Sequence, residues 1–354
     1  MECFRFNNRM GVGRKTVTLM IAMFAVLLAV CFAGQAYAQG SGAIKDPERT
    51  RYYELFKGKR VVFVPVFMGL DLTEAWSKIM GLQAKRLGYE YEVRNANFDT
   101  SAGVQILTQL LNEDPKPDVV VVHNPDVTSY AKIIKKLEDA GVYVVQLNMK
   151  SLAMSTGFAG GDATVIGEMQ AQSVVKHCGA DTSRKVLILN GPTTAPWTVY
   201  LQTGYNNVFE KNPDINIVAR QSVGNYESSK AKSITEVTLK QHPDLCAIIG
   251  VWDVPDLGTA SAIAQEGKTG QVFLSTNGGF SDFACKAIQE GKFDNYISFN
   301  VPGQGRDVNN LIQMALQAPD EPGKLKVALY SPLREVTKAT MDASACWSLD
   351  TVHQ

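Results

Sequence analysis

"DVVVVHNPDVTSYAKIIKKLEDAGVYVVQLN", residues 118–148, decides the fold. Four valines lead through a polar corner into an amphipathic stretch that stops on a glycine, and a second apolar run follows. Continuous β-branched runs are expected where a parallel strand is covered on both faces, and glycine is the usual residue after a helix C-terminus. The unit is strand, helix, strand. It recurs: "RVVFVPV", "KVLILN", "CAIIGV" and "QVFLST" read as strands, while "TEAWSKIMGLQAKRLG" and "DLGTASAIAQEG" read as helices. About ten strands of this kind are too many for one ordinary core, so the fold class expected is α/β with two Rossmann-like lobes built on parallel sheets.

In open α/β sheets, ligands bind in the crevice beyond the strand C-termini. The residues there are Phe67, Met68 and Asp71; His123, Asn124 and Asp126; Asn148; Thr193, Thr194 and Trp197; Asn225 and Tyr226; Trp252 and Asp253; Asn277; and Asn300. Neutral amides and aromatic rings dominate. Amides both donate and accept, matching hydroxyl groups, and aromatic faces pack on the C–H patches of a sugar ring. Trp197 and Trp252 are expected to touch ligand, Trp76 to be core, and Asp253 to cap the following helix or reach a ligand hydroxyl.

Catalytic chemistry is poorly represented. Of four histidines, only His123 stands at a strand end, with no G-x-S-x-G beside it, and it is expected to be a hydrogen-bonded wall residue. No phosphate loop is present: "VPGQGRD" lacks the lysine, and "AGGD" at 159–162 reads as a crossover between lobes. An enzyme and any cofactor are therefore not expected.

The N-terminus carries Arg5, Arg9, Arg14 and Lys15, the apolar run "LMIAMFAVLLAVCFAG" and the small-x-small site Ala36-Tyr37-Ala38. This reads as a cleaved signal peptide over 1–38, and the periplasm is the expected location. A retained anchor would need a longer apolar span, and a lipoprotein at Cys31 would want a small residue where Val30 stands. The remaining 316 residues carry 31 basic and 34 acidic side chains, which gives no basic footprint for nucleic acid. Cys178, Cys246, Cys285 and Cys346 remain, none in a C-x-x-C, and no zinc spacing joins them to His177 or His242. Four exported cysteines allow up to two disulfides in three pairings, or four free thiols; Cys285 with Cys346 would tie the C-terminal tail to a helix.

The segments "LGYEYEVRNANFD", "DVVVVHNPDVTSYAKIIKKLEDAGVYVVQLN", "HPDLCAIIGVWDVPDLGTASAIAQEG" and "QVFLSTNGGFSDFACKAIQEGKFDNYISFNVPGQGRDV" resemble the ribose-type periplasmic sugar-binding proteins, type I solute-binding proteins of ABC importers. The resemblance covers about residues 58–340. It implies a type I periplasmic binding protein fold with an N-terminal lobe of 58–161 plus 301–323, a C-terminal lobe of 162–300 plus 324–340 and a tail of 341–354. A three-strand hinge is implied near 148–152, 299–301 and 324–327. It further implies that Asn124, Tyr226, Trp252, Asp253, Asn277 and Asn300 occupy ligand-contacting slots.

Two departures matter. Where the family has an Asp-Arg pair this chain has Asn148-Met149, and where a second arginine is expected it has Leu201 and Gln202. The charged clamps for a pyranose are missing, so a polyol, a deoxy sugar or a compact neutral metabolite is expected. The partner implied is an ABC permease, or alternatively a chemoreceptor or sensor kinase, with the binding protein a monomer. A LacI-type repressor would share the two-lobed core, but the leader and the lack of a helix-turn-helix argue against it.

Overall fold

The computed structural model describes residues 45–317 and 321–353; the signal-peptide reading and Cys31 lie outside them. Helix α1 (Pro47–Phe56) precedes a first sheet built from β1 (Arg60–Val64), β2 (Glu90–Val93), β3 (Val119–Val122), β4 (Tyr143–Leu147) and β5 (Gly157–Gly160). Between them run α2 (Asp71–Leu87), α3 (Thr100–Asn112) and α4 (Ala131–Asp139). The second sheet takes β6 (Lys185–Asn190), β7 (Asn216–Ser222), β8 (Ala247–Ile249), β9 (Phe273–Gly278) and β10 (Asn295–Ser298). It is interleaved with α5 (Ala163–His177), α6 (Pro196–Phe209), α7 (Ser228–Gln241), α8 (Asp253–Gln265) and α9 (Asp282–Gln289). After α10 (Val301–Gln317) come β11 (Val327–Tyr330) and β12 (Arg334–Val336). One unit, Tyr52–Gln354, contains both sheets.

The sheet orders are β11-β5-β4-β3-β1-β2 and β12-β10-β9-β8-β6-β7, parallel throughout except for β12. Why these runs became central strands is visible in β3. Val119 and Val121 join one apolar cluster with α2 and α10; Val120 and Val122 join another with α3 and α4. Alternation sends successive side chains to opposite faces, so a strand covered twice must be apolar at every position. Each such buried side chain contributes about 1.5–3 kcal/mol of transfer free energy.

The chain passes between sheets three times: after β5 at Gly161–Asp162, after β10 at Phe299–Asn300, and between β11 and β12 at 331–333. The first crossing lies in the "AGGD" segment, where Asp162 Oδ1 accepts from Thr164 N at 3.1 Å and caps α5. Residues 148–152 are not a crossing; they belong to the loop joining β4 to β5, neighbours in one sheet. Nor does 324–340 belong wholly to the second lobe. Val327–Tyr330 pairs in parallel with Gly157–Gly160, and only Arg334–Val336 pairs with β10. Both segments are edge strands, and a short edge carries too little hydrophobic pattern to declare its sheet.

Two disulfides are present. Cys285 bonds Cys346, holding the tail on α9, and Cys178 bonds Cys246, joining the end of α5 to the residue before β8. Both lie in the second lobe. Among the described residues no cluster could hold a metal ion, and no helix is long and apolar enough to cross a membrane.

Candidate functional site

A cavity of about 350 Å³ of empty space, open mouth included, lies where the C-terminal ends of both sheets face each other. The first lobe supplies Phe67, Leu72, His123, Asn148 and Met149; the second supplies Trp197, Tyr226 and Trp252; Phe299 comes from a crossing segment. Every one of them lies in the segment that follows a strand or in the first turn of the next helix. That placement makes the site a product of the fold's parallel connectivity.

The walls are aromatic. Phe67 and Trp252 approach across the cleft with centroids 6.3 Å apart, and Trp252 stands perpendicular to Tyr226 at 5.9 Å. Trp197 meets Phe299 edge-on at 5.1 Å and donates its Nε1 proton to Val251 O at 3.2 Å, which fixes the indole in place. Phe98 stacks on Phe67 at 4.5 Å, backing it from outside. Tyr226 has φ 61 and lies over Gly191, where a Cβ would stand 2.5 Å from the ring. Only glycine at 191 lets that ring reach the cavity.

Polar lining is sparse and uncharged. His123 is 2% exposed, sits edge-on to Trp76 at 5.4 Å, and neither ring nitrogen has a hydrogen-bond partner. Burial pushes its pKa down to about 3, so the imidazole is neutral, with one N–H donor and one bare acceptor. Asn148, held at φ 59, leaves its Oδ1 unpartnered. The Tyr226 hydroxyl lies beside Thr198 on the opposite wall.

Of the residues expected at the site, Phe67, Asn148, Trp197, Tyr226 and Trp252 line the cavity. His123 lines it too, whereas Met68, Asp71, Asn124, Asp253, Asn277 and Asn300 do not. Met68 is half-buried against the core. Asn124 is turned inward, donating to Gln146 Oε1 at 3.0 Å and Met149 O at 2.7 Å, and so props the loop that carries Asn148 and Met149. Asn277 donates to Gln170 Oε1 and Val251 O, each at 3.1 Å. Asn300 accepts from Gly303 N at 3.1 Å at the start of α10. Asp71 and Asp253 line a neighbouring groove with Trp347.

Asp253 neither caps α8 nor faces the cavity. It is buried, its Oδ2 accepting from Tyr296 Oη at 2.6 Å, and the reach back to the Trp252 N–H comes from Asp256 Oδ2 at 3.2 Å. Burial raises Asp253 to about 8 and Asp256 to about 7, and the nearby Asp256 adds to the rise at Asp253.

Leu72, Met149 and Phe299 were not expected at the cavity, and His123 was expected to be hydrogen-bonded. His123 and Phe299 each directly precede a chosen amide, Asn124 and Asn300. The signal that could have found them is the alternation of side chains continued one residue past the strand.

The lobes meet at the rim. Val127 N donates to Thr194 O at 3.1 Å, and Lys150 stands 5.0 Å from the Tyr200 ring of the second lobe while also facing Phe158 and Tyr330.

Residues 61–320 match the periplasmic binding protein domain family. Among characterised relatives, the D-ribose/D-allose-binding protein of Pseudomonas aeruginosa is 27% identical over 185 residues, 49% of this chain and 55% of that protein. The D-allose-binding periplasmic protein of Escherichia coli K12 is 26% identical over 168 residues, 45% of this chain and 53% of that protein. The chain thus spans about half the length of these two relatives. A solved ABC transporter solute-binding protein from Burkholderia graminis, in complex with D-arabinose, superposes with a TM-score of 0.71 at 20% identity, covering 81% of this chain and 98% of the other. With the family matched over most of its length and two parallel sheets joined by three crossings, the chain belongs to the periplasmic binding protein domain family and has its type I fold.

Proposed function

We propose that this protein is a periplasmic solute-binding protein that captures a small neutral ligand, a sugar, a polyol or a similar hydroxylated compound, and delivers it to the permease of an ABC importer. The observation that carries the reading is the cavity between the lobes: aromatic rings from both sides, no charged lining residue, and unpartnered polar atoms on His123 and Asn148. A neutral ligand with ring faces and a few hydroxyls satisfies that lining; an ion would enter without a counter-charge. The relatives that bind ribose, allose and arabinose agree with the class.

Closure follows from the three crossings. A ligand that touches Phe67 and His123 on one side and Trp197 and Trp252 on the other has more contacts in the closed form, and shifts the population toward it by that difference. The Val127–Thr194 and Lys150–Tyr200 contacts would form in the same movement. The closed form is what the permease recognises, and the protein acts as an exported monomer with its hydrolytic subunits on other chains.

A thermal-shift screen of the exported form against sugars, polyols and charged metabolites tests the reading. Neutral hydroxylated compounds should raise the melting temperature in a concentration-dependent way, because binding to the native state stabilises it by mass action. Stabilisation by charged compounds alone would overturn it.

A further inference from the structure

The chemistry of the lining narrows the ligand, and this step rests on the solute-capture reading. A fully hydroxylated six-membered ring brings a donor and an acceptor at nearly every carbon, and each hydroxyl buried without a partner costs about 1–3 kcal/mol. Phe67, Leu72, Met149 and Phe299 offer no side-chain partner, and the Trp197 N–H is already spent on Val251 O. Three of the nine lining side chains, His123, Asn148 and Tyr226, carry an oxygen or an imidazole nitrogen. Neither Asp253 nor Asp256 lines the cavity: Asp253 Oδ2 accepts from Tyr296, and Asp256 Oδ2 from Trp252 N and Thr276.

The unpartnered polar atoms are unevenly divided: among the lining side chains, the second lobe supplies the Tyr226 hydroxyl, beside Thr198. His123 and Asn148 stand at the ends of β3 and β4, adjacent strands of the first sheet, and between them hold three unpartnered atoms: Nδ1, Nε2 and Oδ1. The indole rings of Trp197 and Trp252 form the facing wall. We infer that the cavity is built for a deoxygenated cyclic ligand whose two or three hydroxyls sit on one edge, read by His123 and Asn148, while its remaining carbon surface packs on the second-lobe rings. His123 is then the specificity-determining residue. The two imidazole nitrogens point in divergent directions, so one of them meets a ring hydroxyl while Asn148 Oδ1, at the end of the adjacent strand, accepts from the neighbouring hydroxyl, and a vicinal diol presents both.

Cyclohexane-1,2-diol and myo-inositol test this directly, since they share one ring and differ in hydroxyl number. Calorimetric titration of the oxidised, exported form with both, with D-allose and with choline separates the outcomes. The diol should bind at least about a hundredfold tighter than myo-inositol, in line with the discrimination an apolar pocket makes against an added hydroxyl. His123→Phe keeps a ring against Trp76 and removes both nitrogens. It should weaken the diol at least about tenfold while leaving the melting temperature of the ligand-free protein unchanged or higher, which a merely structural role for His123 would not produce.

Tighter binding of myo-inositol or allose than of the diol would overturn the inference and leave solute capture standing. Binding of choline alone would overturn both, because the aromatic walls would then be a cage for a cation. Binding of none of the four would overturn the inference, with the wider screen left to decide capture.

Discussion

The corner after β3 and the corner after β8 are built alike and furnished differently. In each, a ring faces the cavity and the next residue is polar and turned inward: His123 then Asn124 in the first lobe, Trp252 then Asp253 in the second. The first corner presents a buried imidazole with both nitrogens free; the second presents a half-buried indole backed by two buried carboxyl groups. The difference teaches how work is divided across the cleft. On the proposed reading, the first lobe would supply most of the hydrogen-bonding atoms, on His123 and Asn148, and the second the two indole faces, with Phe67 and the Tyr226 hydroxyl crossing that division.

Removing the stacking corner should be the most damaging change. Trp252→Ala is expected to weaken the best ligand found in the thermal-shift screen by about 30- to 1000-fold, the range of a buried aromatic anchor, and to abolish most of the ligand-induced fluorescence change. Unchanged affinity by titration would remove Trp252 from the binding wall.

The inward residue of the first corner should matter for stability. Asn124→Ala strips partners from Gln146 and Met149 O inside the fold and is expected to cost about 2–3 kcal/mol in urea unfolding. Affinity should fall with it, because Asn148 and Met149 ride on the loop it props. An affinity loss without any loss of stability would mean that Asn124 touches ligand instead.

The pH dependence separates the corners by titration, with a slope of about 1.4 kcal/mol per pH unit for each group. Asp253 and Asp256 are protonated in the fold up to about 8 and about 7, whereas the unfolded carboxyls ionise near about 4. The unfolded state then binds fewer protons, so these groups make stability fall as pH rises from about 4 to 8. His123 acts oppositely. Its folded pKa lies near 3, below the unfolded value of about 6.5, so it makes stability rise over that interval and contributes nothing above it. Melting curves should therefore show a decline that steepens just above pH 6.5 and levels off past 8. Asp253→Asn should remove the decline between 7 and 8, and His123→Phe should act only below about 6.5; any other windows would break the assignment.

Most of the architecture was legible because parallel strands buried on both faces have to be written as apolar runs, and β3 and β4 are such runs. Val327–Tyr330 was not, since its alternating half-buried edge pattern names no sheet. At the site, the aromatic wall was readable from ring chemistry at strand ends. Asn148 lines the cavity, but Asn124, Asn277 and Asn300 bond elsewhere, because side-chain polarity is visible in a sequence and side-chain direction is not. Asn124 and Asn300 each lie one residue beyond the lining position. Asn148, Tyr226 and Asn300 adopt positive φ, which breaks the period-two alternation where it would be needed.

The placement of β11 and β12 has a consequence for how the molecule is made. The last strand of each sheet comes from residues 327–330 and 334–336, seven residues apart from start to start, while their partners were laid down at 157–160 and 295–298. A chain emerging N-terminus first cannot finish either sheet until this short segment arrives, and then it finishes both almost together. Pairings this distant in sequence form slowly because loop closure must precede their reward. Neither sheet is continuous in the sequence, and one short segment supplies the last strand of both.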